Sequence, residues 1–385
     1  MIPAALVLLA AAPPHEAYVW QRRWTAPVEA ALRSSADAVG GWRVLAGEDT
    51  RGVMAYPSIN AAPLLATRRP ATPVFRLHGR LHHDDARHVR DIAAGLARWQ
   101  AAKLPVQAVE IDHDCPESQL ARYRTLLTAL RRALPAGTRL SITALPSWLG
   151  NRELPALLAA TDEAVLQVHA VMDPARGGLF DASLARQWIE QWDALSAGPF
   201  RVALPNYGSR VTWNSAGLVT AIESEAPRAG TDPGEAGREL FAAPAEVRGL
   251  LDWLESRRSR HFRGVVWFRL PTAGDRRAWS MATWRAVMAR GSPLPVPRVT
   301  VELRGPDVVA VNAGGIDAVL PAKIVVTGRG CTRADALAGY RMERIAEGVT
   351  FERREQARLL RVGETHVLGW VRCESGGRVT WKEQR

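Results

Sequence analysis

Lysine is almost missing from this 385-residue chain. Only Lys103, Lys323 and Lys382 occur, so arginine carries nearly all of the positive charge behind a formal net charge of +11. That bias fits a GC-rich codon usage better than selection for a partner. The arginines are scattered, and no basic surface interleaved with aromatics can be read from them, so nucleic acid is not an expected partner. No apolar run reaches the ~20 residues that cross a bilayer, and no transmembrane segment is expected. Only three cysteines occur, and no Cys/His spacing of the zinc type, so neither a metal nor another cofactor is expected. GxxxxGK followed by Ser or Thr is missing, as are GxGxxG between a strand and a helix and the GxSxG elbow. These absences argue against kinases, dinucleotide oxidoreductases and α/β-hydrolases.

What is present begins with MIPAALVLLAAAPP, residues 1–14. It has a short apolar core and small residues behind it, and reads as a secretory signal or an apolar tail. Export implies an extracytoplasmic protein, periplasmic or secreted; a cytoplasmic one is the alternative. Cys331 and Cys373 both lie near the C-terminus and could pair in an oxidising compartment. Cys115 is left over, and no Cys-His signature surrounds it.

From about residue 17 to 290, strand-like and helix-like patterns alternate. Eight strands are read: Ala17–Trp24, Trp42–Glu48, Thr72–His78, Val106–Asp114, Arg139–Leu145, Ala164–Val171, Phe200–Asn206 and Phe262–Leu270. Most are short apolar runs, as in parallel strands covered on both faces. Helical spacing is clear in 84–101, 118–134 (Ser118 as N-cap), 183–195, 244–258 and 277–290. The connections 50–71 and 208–243 read as long loops. Eight alternations favour a closed (β/α)8 TIM barrel over an open sheet. GSPLPVP, residues 291–297, reads as a linker. Beyond it, 298–385 is a run of short β-rich pieces, expected to form a small all-β, sandwich-like domain. The expected organisation is thus a tail (1–14), a barrel (15–290), a linker and the β-rich domain.

VQAVEIDHDCP (106–116) is the most informative stretch. Glu110, Asp112 and Asp114 stand two apart on a strand, hence on one face, at the strand end where barrels carry their chemistry. Like charges at close range cannot all ionise, which separates their pKa values and yields the protonated acid that glycosidic cleavage needs. Asp114, nearest the carboxyl end, is the candidate proton donor. Asp112 is its electrostatic partner, and Glu110 is structural. The competing reading pairs Glu110 and Asp112 with Arg76 and Arg269 inside the barrel and uses Asp114 as a helix cap.

Other strand ends supply polar and aromatic groups. Trp20 and Arg22 come from the first strand, Arg76 and His78 from the third, and Trp148 from beyond the fifth. Gln167, His169 and Asp173 follow from the sixth, Asn206 and Tyr207 from the seventh, Trp267 and Arg269 from the eighth. His78, Trp148, His169, Asn206, Tyr207, Trp267 and Arg269 are the expected substrate-binding residues, since aromatic faces stack on sugar CH groups while polar groups read hydroxyls. Trp148 and Trp267 can equally be core. Trp99, Trp188, Trp192 and Trp253 read as helix-to-barrel packing. His82, His83 and His88, with Asp84 and Asp85, read as a solvated helix start.

VEIDHDCPESQLARYRTLLTALR, LSITALPSW, DEAVLQVHA, VALPNYG and VVWFRLP, in this order, resemble a bacterial barrel family described as domain of unknown function 3142. The resemblance spans roughly residues 15–290 and implies a TIM barrel related to glycoside hydrolases. A more distant resemblance runs to the chitinase-like family 18 hydrolases, whose acidic strand reads D-x-x-D-x-D-x-E. The matching positions are Gln107, Glu110, Asp112 and Asp114. Gln stands in place of the first Asp, and Asp in place of the final Glu, which shortens the acid by ~1.5 Å. By the same analogy Tyr207 would supply a supporting hydroxyl. The combined expectation is a monomeric, glycoside-hydrolase-like protein acting on a polysaccharide or cell-envelope glycan. Two other outcomes remain: a non-catalytic glycan-binding or scaffold barrel, and a barrel that clamps a small anionic metabolite between Arg76 and Arg269.

Overall fold

A computed structural model describes residues 15–81, 84–170, 178–224, 236–331, 333–337, 339–354, 359–374 and 377–382. The apolar tail 1–14, His82, His83 and Asp173 lie outside the described residues. The chain divides into two compact units. One comprises Met1–Val168, Ala182–Leu204 and Gly249–Leu270; the other comprises His169–Asp181, Pro205–Arg248 and Pro271–Arg385.

Eight parallel strands make the barrel: β1 (His15–Val19), β2 (Gly41–Thr50), β3 (Ala71–Leu77), β4 (Ala108–Asp112), β5 (Arg139–Ala144), β6 (Glu163–Gln167), β7 (Phe200–Pro205) and β8 (Phe262–Phe268). Each pairs with the next, and β1 pairs with both β2 and β8, so the sheet closes on itself. All eight strands read from the sequence are present, displaced by a few residues at their ends. Short apolar runs form them because helices such as Asp85–Ala101 and Leu120–Ala133 cover the outer face while side chains fill the lumen. Tyr18, Leu45, Val74, Val165, Ala203 and Val266 form the middle of that lumen.

A tight local constraint lies between β2, β3 and the helix Asp85–Ala101. A Cβ on Gly47 would come within 2.7 Å of the Phe75 ring, and one on Gly95 within 2.3 Å. Only glycine lets strand and helix close on that ring from both sides. A bulge accompanies it: the register of β2 against β3 slips between Leu45 and Gly47. Strict alternation from Arg43 and Leu45 would turn Gly47 and Asp49 inward. The extra residue instead sets Glu48 opposite Arg76 on the lumen side and sends Asp49 outward, toward Arg87 and His88.

Several local expectations are corrected. Ser118 lies within a single 3-10 turn, Glu117–Gln119, and does not cap the helix that begins at Leu120. The 50–71 connection holds a helix, Ala61–Ala66, begun by the Asn60 side chain. The 208–243 loop is an antiparallel sheet, with Gly208–Trp213 at its centre and Val219–Glu223 and Ala236–Phe241 beside it. Asp84 does cap its helix, accepting from Arg87 N, but His88 is buried, not solvated.

Within the second unit, two four-stranded antiparallel sheets contribute to one apolar cluster, as a sandwich requires. Val301, Val308, Ala310 and Leu368 come from one sheet, Ile324, Val326, Val349 and Phe351 from the other. Two strands of these sheets, Arg333–Ala336 and Tyr340–Ile345, escape a reading of the sequence. Both are edge strands with mostly exposed or half-exposed side chains, so they carry no clear apolar alternation. Cys331 is joined to Cys373, 42 residues apart. Closing a loop of that length removes about 4 kcal/mol of entropy from the unfolded chain. The same unit includes the helix Met281–Met288, begun by Ser280. Asp317 accepts from Ser280 N and Val362 N, and Arg361 donates to the carbonyls of Thr272, Ala273, Asp275 and Ala278.

Candidate active site

The lumen of the barrel holds two charged clusters. The lower one lies toward the amino ends of the strands. Arg43, 3% exposed, pairs with Glu16, Glu110 and Glu163, and Arg201 pairs with Glu16 and Glu163. Tyr18 donates to Glu110 Oε1 at 2.6 Å, and Ser141 donates to its other oxygen at 3.3 Å. Burial pushes the Glu110 carboxyl up against the pull of Arg43. Burial also acts on Glu163, but there Arg43 and Arg201 outweigh it and hold the group below its ordinary value. Glu110 is thus structural, as expected, although its guanidinium comes from Arg43 and not from Arg76 or Arg269.

The upper cluster stands at the carboxyl ends. Asp112 is 2% exposed; it accepts from Thr143 Oγ1 at 2.7 Å and from Arg76 Nη1 at 3.1 Å. Asp114, two residues on, keeps 41% of its side chain exposed. Its contacts are long: Arg76 Nη2 at 3.4 Å and Gln167 Nε2 at 3.4 Å. Crowding by protein atoms, and then the neighbouring Asp112 charge, push the Asp114 carboxyl up to about 6. It caps no helix, since Pro116 occupies the cap position of the following turn.

Glu48 completes this cluster. Arg22 donates to it through Nε at 2.6 Å and Nη2 at 2.7 Å. His78 Nε2 lies 2.8 Å from Glu48 Oε1 and 3.1 Å from Arg76 Nε. That nitrogen cannot donate to the carboxylate and accept from the guanidinium at once. The carboxylate can only accept, so His78 Nε2–H donates to Glu48 Oε1. The His78 hydrogen bond and then the paired Arg22 hold Glu48 down at about 2. Arg76 also lies 5.6 Å above the Trp20 ring. Two carboxyl groups of one mouth therefore sit some four units apart, about 2 against about 6, which is how a single site keeps one acid ionised and another available as a proton donor.

Of the expected site residues, Asp112, Asp114 and His78 meet here. Trp148 and Trp267 do not, and both are fully buried. Trp148 donates to the Cys115 carbonyl and meets the edge of Tyr123 on the outer side of β4. Trp267 alternates with the lumen residue Val266, so it faces away from the lumen, and it donates to His15 Nδ1. Arg269 is 1% exposed. His169 and Tyr207 come together in the second unit, 3.3 Å apart, where burial drives His169 down to about 3; Asn206, in the same unit, is fully buried. Cys115 is buried and unpaired, its thiol pushed up to about 12 by burial, which removes it as a nucleophile. Reading the strand ends without the β2 bulge misses Glu48. Thr143 was legible only as part of strand β5.

The fold and this mouth define a closed (β/α)8 barrel with an acidic, carboxyl-end centre. The family described as Domain of unknown function (DUF3142) matches residues 67–273, more than half of the chain, and the chain belongs to it. A second family, Domain of unknown function (DUF8456), matches residues 302–374. No curated protein sequence matches the chain. Among solved structures, the Bacillus cereus spore cortex-lytic enzyme SleL superposes with a TM-score of 0.52 at 11% identity, covering 71% of this chain and 73% of SleL. The Bacillus megaterium SleL gives 0.49 at 12%, covering 67% and 70%. A chitinase from Chromobacterium violaceum gives 0.47 at 15%, covering 72% and 98%. At such identities the SleL likeness is one of fold, that of a closed parallel barrel with helices between its strands. No described helix is long and apolar enough to cross a membrane.

Proposed function

We propose that the upper mouth of the barrel cleaves a glycosidic bond in a polysaccharide or cell-envelope glycan by carboxylate acid/base chemistry. The observation that carries this reading is Asp114, solvent-accessible, raised to about 6 and next to Asp112. In its protonated form Asp114 donates to the leaving-group oxygen. The carboxylate left behind is received by Gln167 Nε2 and Arg76 Nη2, one on each oxygen. Asp112, fixed by Thr143 and Arg76, faces the positive charge that develops on the anomeric carbon of the sugar; a water molecule adds to that carbon and returns its proton to the Asp114 carboxylate. Because the acid must be protonated, turnover falls as pH rises through about 6.

Asp114→Asn keeps the shape and removes the proton. Screened against chitin oligosaccharides, peptidoglycan and β-glucans, this variant should bind as the wild type does and lose about 10²–10⁴-fold in turnover. Equal turnover in both proteins, or none in the wild type, ends the acid/base proposal.

A non-catalytic glycan-binding barrel is the second reading, favoured by the single guanidinium of Arg76 that engages both aspartates. It expects binding without turnover in either protein. In both readings the protein works outside the cytoplasm, which the Cys331–Cys373 disulfide supports.

A further inference from the structure

Beside the acidic mouth lies a cavity of about 360 Å³, within the ~300–1,000 Å³ range of ligand pockets. It is built from the loops that leave β2 and β3 and from the start of the helix Asp85–Ala101. Its walls include Arg51, Arg80, Arg87, His78, His88 and Asp49. Asp49 is the one acid among them, and it is already engaged. It accepts from Gly52 N at 2.9 Å and from Arg87 Nη2 at 3.0 Å. Burial, and then the Arg87 charge, depress His88, so that ring adds no positive charge at neutral pH. Arg51 and Arg80 are exposed and form no ion pair among the described residues. The cavity therefore carries uncompensated positive charge in the form of guanidinium forks. His78 belongs to both places: it lines this cavity and donates to Glu48 in the mouth.

We propose that this cavity is a subsite for the anionic groups, carboxylate or sulfate, of a glycan lying across the mouth, so that the substrate class is an acidic glycan. The proposal rests on reading the mouth as a sugar site. Arginine suits the task because its planar fork meets a carboxylate or sulfate with two parallel hydrogen bonds, and its charge does not titrate. The mouth itself is rich in carboxylates and disfavours an anion. Placing the positive charge on the far side of His78 lets an acidic chain present its neutral glycosidic oxygen to Asp114 and its anionic group to Arg51 and Arg80.

The test is affinity electrophoresis of the intact protein, made in the Asp114→Asn background to prevent cleavage. The gels contain polygalacturonate, dextran sulfate or neutral dextran, at about 0.15 M salt to screen non-specific attraction. The double variant Arg51→Gln/Arg80→Gln is compared with Arg33→Gln/Arg132→Gln, which removes the same charge from exposed helix positions that line neither the cavity nor the mouth. The expected result is retardation by an acidic polymer that weakens at least about tenfold in the first variant, close to 1.4 kcal/mol, and is retained in the second. Polygalacturonate and dextran sulfate separate carboxylate from sulfate recognition. Equal losses in both variants, or no retardation by either acidic polymer, overturn the subsite. If the arginine-dependent retardation is seen while the wild type turns over no glycan, the acid/base reading fails and the subsite stands. If neutral oligosaccharides are cleaved and the arginines make no difference, the subsite fails and the acid/base reading stands.

Discussion

The two ends of the barrel lumen use the same chemical parts to opposite effect. At the lower end, three carboxylates and two guanidiniums form a closed lattice, in which Arg43 alone pairs with three acids and is almost wholly buried. At the upper end, Arg76 reaches two aspartates through contacts of 3.1 and 3.4 Å and leaves Asp114 substantially exposed. Completeness of pairing separates a buried, fully paired cluster from one that keeps an acid exposed to solvent. Breaking a buried pair costs several kcal/mol, so the lower cluster is held in one arrangement. An exposed pair is worth little, so Asp114 is free to change protonation state.

The largest expected effect is at the bottom. Arg43→Met strips one partner from each of Glu16, Glu110 and Glu163 and should cost about 3–5 kcal/mol in urea unfolding. A loss below about 1 kcal/mol would mean that the lower lattice is no more demanding than a surface pair. Arg76→Gln is the matching change at the top; it leaves the buried Asp112 with Thr143 as its remaining donor and should cost about 1–3 kcal/mol, less than Arg43→Met. Its signature is elsewhere: with the Arg76 charge gone, Asp114 should titrate above its present value of about 6, as read by carboxyl carbon shifts in an NMR titration. An unmoved Asp114 would show that Arg76 is not what holds its pKa down.

The smallest effect is a pH dependence of stability, opposite in sign for two acids of one mouth. Asp114 is raised in the folded state, so it binds its proton more tightly there than when unfolded. Its contribution therefore favours folding as pH falls through about 6 toward the ordinary value near 4. Glu48 is depressed to about 2, so its stabilisation is present above the ordinary value and is lost as pH falls toward 2. Asp114→Asn cannot ionise. It should be more stable than the wild type above pH 6, and that gain should shrink as pH falls toward 4, as seen in paired thermal melts. A difference that does not vary with pH would place Asp114 in an environment much like water.

The acidic file on β4 and the eight-strand alternation were legible because both follow from a strand's two-residue period, which acts along the chain. Trp148 and Trp267 show where that reading weakens. A tryptophan near a strand end has the same local pattern whether it lines a mouth or lies under a helix, and only the packing partners, here Cys115 and His15, distinguish the two.

What the amino-acid order determined by itself was the parallel barrel and the column of Glu110, Asp112 and Asp114, because strand period and apolar runs are local properties. What the tertiary structure decided was the surroundings of each acid. Glu110 is neutralised by Arg43, 67 residues away, Asp112 is tied down by Thr143, and a bulge brings Glu48 into the mouth. Those outcomes depend on register between strands and on crowding around each carboxyl group, and neither exists until the barrel has closed.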